Sequence, residues 1–167
     1  MDLQPGDILV FKRSGPVSFI LGGILKLFEK DYDFWGWHVG FIAHYAKGWM
    51  ICEALGNGVS LTPLSHYKPE NIRVYRWLDN PSQEKINRFV ADYLGKPYDV
   101  AVYFWTALQY LLRHFWNRPI PKLLDGSFTC WELVFEFAEE MQKRIGSKYD
   151  CPLITDMLRT IKHTQVS

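Results

Sequence analysis

Through the first half of the chain, apolar positions fall in short runs bounded by turn signals, and in Ile72 to Trp77 they alternate with polar ones, the patterns of strands that bury one face or both. Asp7 to Lys12 is the first run, and Trp37 to His44, Trp49 to Ala54, Val59 to Leu61 and Ile72 to Trp77 follow. Turn-prone Ala46-Lys47-Gly48 and Gly56-Asn57-Gly58 separate the middle three, so the runs predict hairpins and a compact antiparallel sheet. Between the first two runs, Pro16 to Phe28 is apolar and carries a glycine pair, Gly22-Gly23, at its centre. It reads as a helix or as a mobile lid hinged at the glycines, with plain core packing as the alternative.

Beyond Trp77 the period becomes helical. Asn80-Pro81 opens a helix with Ile86, Phe89, Val90 and Tyr93 on one face, and Gly95-Lys96-Pro97 ends it. Val100 to Trp116 is aromatic almost all round and predicts a buried helix, and Arg118-Pro119-Ile120-Pro121 makes a rigid link onward. A further helix starts at Cys130 and presents Leu133, Val134, Phe137, Ala138 and Met141 as one stripe; Pro152 to Thr160 forms a last short one. Strands followed by helices predict an α+β fold, an antiparallel sheet or small barrel packed on helices. At 167 residues the chain is read as one domain, 1–167.

The start of the Cys130 helix carries chemistry. In Thr129-Cys130-Trp131-Glu132 the threonine caps the first turn while Glu132 reaches back to the cap residue's N–H, a reciprocal capping box. Cys130 then stands at the first helical position, where unsatisfied N–H groups and the positive end of the helix dipole favour the nucleophilic thiolate. A base is offered by His38. If the Trp37 and Trp49 strands pair through a turn at Tyr45 to Gly48, His44 faces Trp49 and Gly40 faces Glu53, which puts His38 diagonal to Glu53 on one face. A carboxylate there fixes the imidazole tautomer that accepts the Cys130 proton. The candidate triad is Cys130, His38 and Glu53, and a one-residue slip in register would separate the last two.

Composition narrows the partners. Lysine and arginine total 19 against 18 acidic residues with no like-charge run, which gives no basis for nucleic acid binding. Aromatics are 16% of the chain, including seven tryptophans, a ring surface that serves cores and greasy clefts equally and leaves peripheral membrane or lipid contact open. Three cysteines, Cys52, Cys130 and Cys151, cannot all pair within one chain, so free thiols in a reducing compartment are expected. The first residues lack the basic and apolar regions of a signal peptide, so the expectation is cytoplasmic, with processing before residue 1 left open. Cys52 reads as core, Cys151 has no evident base, and Asp7 reads as turn support. No cofactor or metal is expected. A zinc site from His38, Cys52 and Cys130 lacks a fourth ligand at a recognisable spacing.

Pro5-Gly6-Asp7-Ile8-Leu9-Val10-Phe11 and His38-Val39-Gly40-Phe41-Ile42 resemble the PGDLVFF and HVGIYLG signatures of the NlpC/P60 cysteine peptidases of the papain-like superfamily. Cys130 follows both signatures, as in the circularly permuted, YiiX-like branch. Glu53-Ala54, Gly58-Val59 and Gly95-Lys96-Pro97-Tyr98-Asp99 are similar to that branch too. The resemblance implies a papain-like fold and thiol attack on a small peptide-like amide or an ester, through an acyl-enzyme. Cys130 is then nucleophile, His38 general base and later acid, and Glu53 orienter, with Tyr98, Trp131 and Trp37 as substrate-binding candidates. Two other readings stay open. One is a lipid esterase or acyltransferase of the lecithin:retinol acyltransferase-like type, and the other is an inactive binding module.

Overall fold

Each strand-like run forms a strand because its apolar positions find a layer to bury against on one face or both. The computed structural model describes residues 2–28, 35–45, 48–77, 81–98, 128–141 and 163–165. In chain order the strands are β1 (Ile8–Lys12), β2 (Gly36–Tyr45), β3 (Gly48–Leu55), β4 (Gly58–Pro63), β5 (Ile72–Trp77) and a three-residue β6 (His163–Gln165). They make one sheet in the order β4-β3-β2-β1-β5-β6, every pair antiparallel. The β2–β3 hairpin has the register expected from the sequence, with Gly40 opposite Glu53 and His44 opposite Trp49. The helices are α1 (Pro16–Phe28), α2 (Gln83–Tyr93) and α3 (Cys130–Glu140).

The sheet is buried on both faces. Ile8, Val10, Val39, Phe41, Ala43, Cys52 and Ala54 meet Ile86, Phe89 and Val90 of α2 and Leu133, Val134 and Phe137 of α3 in the larger core. Phe41 stacks on Phe137 with near-parallel planes at 3.9 Å and meets Phe89 edge-on at 5.6 Å, the latter a T-shaped contact that rings prefer. The opposite face carries Leu9, Phe11, Ile42, Ile51, Ile72 and Val74, with Leu3, Leu64 and Tyr67 against them. Glu53 has the parity of this second face, since it alternates with Cys52 and pairs with Gly40.

Several expectations shift in detail. The helix expected at Asn80-Pro81 starts at Gln83, because Ser82 supplies the cap by accepting from the Lys85 N–H. Pro16–Phe28 is a helix whose Gly22 lies directly on the guanidinium of buried Arg13, so close that an added Cβ would collide with it. Close approach therefore accounts for Gly22, while Gly23 meets nothing. β6 is a strand that the alternation does not predict, three residues being too short to show a period. The expected Val100 to Trp116 and Pro152 to Thr160 helices, the Arg118 to Pro121 link, Asp99, His114 and Cys151 lie outside the described residues. Among the described residues no helix is long and apolar enough to cross a membrane.

Two pins fix the frame around the sheet. Asp7, fully buried, accepts from the Gln4 N–H at 2.8 Å and from Arg76 Nε and Nη2 at 2.9 Å each, and so ties the turn before β1 to β5. The second pin runs from β4 to α3. The Val59 N–H donates to the Lys96 carbonyl at 2.9 Å, the Gly95 N–H returns a bond to Val59 at 2.8 Å, and the Phe128 N–H donates to the Pro97 carbonyl at 3.0 Å. Gly58, at φ 107°, sits so close to Lys96 that an added Cβ would lie 2.7 Å from its carbonyl oxygen. The glycine is what lets this connection reach the sheet.

Asp7→Ala should lower unfolding free energy by about 3 kcal/mol in urea titration, because it takes away the buried carboxylate of Arg76 and leaves it only the exposed Asp2. Gly58→Ala should cost about 2 kcal/mol from left-handed strain and the Lys96 contact, measured the same way. Values near zero for either would mean that the pin is not needed.

Candidate active site

The capping box at the start of α3 is complete. Glu132 Oε2 accepts from the Thr129 N–H at 2.9 Å and from its hydroxyl at 2.8 Å, while Thr129 Oγ1 receives the Glu132 N–H at 3.4 Å. Cys130 is consequently the first residue of α3, fully buried, and held two residues after the Phe128–Pro97 bond. The segment Gly95-Lys96-Pro97 thus serves as a mount for the cysteine, and Tyr98 continues it through a parallel bridge to Phe128.

Glu53 is buried without exposed surface, and a carboxylate so placed must be paired. His38 Nε2 lies 2.6 Å from its Oε2. Gly40 makes the diagonal approach free of obstruction: a Cβ there would stand 2.8 Å from Ile51 Cγ2 and 3.1 Å from Glu53 Cβ. The Tyr67 hydroxyl donates to the same carboxylate, 2.9 Å from each oxygen, and Thr62 adds a further side-chain hydrogen bond. With Nε2 given to Glu53, Nδ1 is the ring nitrogen left for the hydrogen bond that His38 shares with Cys130. His38 keeps 17% of its side chain exposed and packs on Phe11, ring centroids 5.2 Å apart.

Burial alone would lower the His38 ring, but the charge and hydrogen bond of Cys130, then those of Glu53, hold it up at about 10. Burial alone would likewise raise Glu53; the bonds from His38, Thr62 and Tyr67 outweigh it and keep the carboxyl below its ordinary range. The signs of the two contributions to stability are opposite. That of His38 is whole below its ordinary 6.5 and is lost as pH rises through about 10. That of Glu53 is whole above its ordinary 4.5 and is lost as pH falls through its depressed value. Together they hold the fold most strongly between those two ordinary values.

The structure therefore brings Cys130, His38 and Glu53 together. Trp131 is buried in the core with α3, Tyr98 is partly buried against that core, and half-buried Trp37 lies 4.6 Å under the Arg13 guanidinium. Cys52 is buried among apolar side chains, and burial, then the Glu53 charge, pushes its thiol up to about 12. His44 is exposed at the strand end, 4.7 Å from the Trp49 ring. Among the described residues no group of three or more His, Cys, Asp or Glu side chains is arranged to hold a metal ion. Sequence reasoning missed Tyr67, Thr62 and Phe11. Thr62 shares the parity of Ser60, the residue opposite Glu53, which is a readable signal; Tyr67 lies in a loop with no period to place it.

No curated protein matches the chain. The crystal structure of metalloprotein yiiX from Escherichia coli O157:H7, DUF1105, matches it with a TM-score of 0.53 at 20% sequence identity, over 100% of this chain and 98% of that one. That likeness shows the fold, an α+β arrangement of an antiparallel sheet with helices. The profile of the permuted papain-like amidase enzymes, YaeF/YiiX, C92 family, matches residues 2–110, a span that holds His38 and Glu53 and ends before Cys130. With well over half of the chain matched, from the turn before β1 past the end of α2, the protein belongs to the permuted papain-like amidase family YaeF/YiiX, C92.

Proposed function

We propose that the protein is a cysteine hydrolase that cleaves a small peptide-like amide through Cys130, His38 and Glu53. The observation that carries this reading is the imidazole bonded on one side to a buried carboxylate at 2.6 Å and on the other to a thiol at a helix start. In the proposed cycle the Cys130 sulfur forms a bond to the carbonyl carbon. The C–N bond then breaks as His38 gives its Nδ1 proton to the leaving amine. Water attacks the thioester, His38 takes a proton from it, and the acid leaves as the thiol–imidazole pair is restored. The Cys130 backbone N–H, one of the orphan donors of the first turn, is the candidate oxyanion donor. Cys130 is fully buried, so substrate approaches on the side where His38 keeps an exposed edge.

Exposed Phe19 and Ile20 on α1 favour a second reading, in which the acyl group comes from a lipid ester and passes to an acceptor by the same thioester chemistry. Intact mass after incubation with peptide amides and with acyl lipids decides between them by the mass left on Cys130. An adduct on neither arm counts for the inactive binding module.

Brief iodoacetamide treatment at neutral pH should label Cys130 before Cys52, as read by peptide mapping, because Cys130 has the His38 imidazole beside it and Cys52 is held protonated by burial. Preferential labelling of Cys52 would count heavily against the assignment.

Glu53→Gln should lower the chemical rate by about 10²-fold or more while leaving KM nearly unchanged. It should also move the alkaline limb of the rate profile, set by His38 at about 10, toward the ordinary imidazole value. An alkaline limb that stays in place would remove Glu53 from the orienting role.

A further inference from the structure

Tyr67 has no part in the chemistry just described, yet it makes the most symmetric contact in the site. It stands in the β4–β5 connection between two 3-10 turns, Leu64–His66 and Pro69–Asn71, where its N–H donates to the Leu64 carbonyl at 3.0 Å. Its ring lies 4.4 Å from Phe11, the same ring that packs on His38. Its hydroxyl is 2.9 Å from both oxygens of Glu53. One side chain thus straddles the carboxylate and shares a packing partner with the imidazole.

We propose that Tyr67 is a positioning residue of this site, one whose hydroxyl locks the Glu53 carboxylate toward His38 Nε2 and keeps it ionised, so that the Cys130–His38 pair stays assembled at mildly acidic pH. The proposal rests on the cysteine-hydrolase reading but adds a residue that the reading does not require.

A buried carboxylate has two ways to fail as an orienter: it can rotate away from the ring, or it can take up a proton and cease to be an anion. A donor centred on both oxygens opposes each. Rotation breaks the bond, and protonation removes the charge that makes it stronger than a neutral one. Burial, then the Glu53 charge, pushes the Tyr67 phenol well above its ordinary value, so it stays a donor throughout. The other groups facing the carboxylate are His38 from β2 and the Thr62 hydroxyl from β4, with the Cys52 thiol beside it on β3; Cys130 of α3 meets His38. His38 takes part in the reaction and Cys52 is held protonated, which leaves Tyr67 and Thr62 as donors that stay in place. Tyr67 stands within hydrogen-bond distance of both oxygens, 2.9 Å from each.

Tyr67→Phe keeps the ring and its packing on Phe11. The test measures iodoacetamide labelling of Cys130 against pH, for the wild-type chain, Tyr67→Phe, Glu53→Gln and the double variant. Thermal melts check the fold. Tyr67→Phe should move the acid limb up by about one pH unit, roughly tenfold slower labelling below it, since a hydrogen bond to a charged group has about that worth. The alkaline limb should stay, and the substitution should have no added effect in Glu53→Gln. A 3-fluorotyrosine at position 67, a stronger donor, should move the acid limb the other way, and it decides the matter if the phenylalanine variant does not fold. An unmoved limb in these variants, or the same loss in the Glu53→Gln background, overturns the proposal. Absence of preferential Cys130 labelling in the wild-type chain defeats the hydrolase reading instead.

Discussion

The bond between His38 Nε2 and Glu53 Oε2 is the constraint around which much of the described structure is arranged. A carboxylate with no exposed surface costs several kcal/mol unless donors replace its water, so the chain must deliver them from three places at once. β2 delivers His38, β4 delivers Thr62, and the β4–β5 connection delivers Tyr67. Each delivery depends on register. The Gly40–Glu53 and Glu53–Ser60 pairings set where the imidazole and the Thr62 hydroxyl fall. Gly40 is the residue that permits the first of these, because any side chain there would occupy the space of Ile51 Cγ2 and Glu53 Cβ.

The thiol is held by a separate system, and that separation follows from the order of the chain. The sheet that carries His38 and Glu53 is built almost entirely from residues before the cysteine, so α3 has to be seated on a surface that its own sequence neighbours do not make. Two features seat it. The α3 stripe packs on Phe41 and Phe89, and the Val59–Lys96 and Pro97–Phe128 bonds anchor the residues just before the helix. Lys96 adds a cation–π contact, its Nζ 3.6 Å from the Tyr93 ring and 5.3 Å from Phe128. A glycine with positive φ at Gly58 is therefore as much a part of what positions Cys130 as the capping box is.

What the sequence disclosed tracks the range of the interaction. The hairpin register is legible because a short turn between two strand-like runs leaves few pairings, and the capping box because it lies within four residues. Contacts between distant segments left weaker traces. Asp7 read as turn support, which it is through Gln4, but nothing in the sequence names Arg76 as its other partner. Gly22 read as a hinge because glycine breaks helices; its close approach to Arg13 is a tertiary fact with no local signature. Tyr67 is a single aromatic among polar loop residues, and its contact with Glu53 exists only once the loop has folded onto the sheet.

The arrangement of donors also accounts for how one carboxylate can serve a whole proposed cycle. With thiolate, imidazolium and carboxylate together, the three groups carry a net charge of about minus one. After acyl transfer, with the ring neutral and the sulfur esterified, they carry the same charge. Protons move between sulfur, ring and leaving group while the charge at Glu53 never changes. Donors fixed to it by the sheet and the β4–β5 connection therefore need not reorganise, and preorganised donors are most effective where no reorganisation is asked of them. The changing charge falls at the ring, at the sulfur and at the substrate oxygen, and the last two lie at the N-terminal N–H groups of α3 in the proposed cycle. Static stabilisation on one side of the imidazole and a helix end on the other divide the electrostatic work without sharing a residue other than His38.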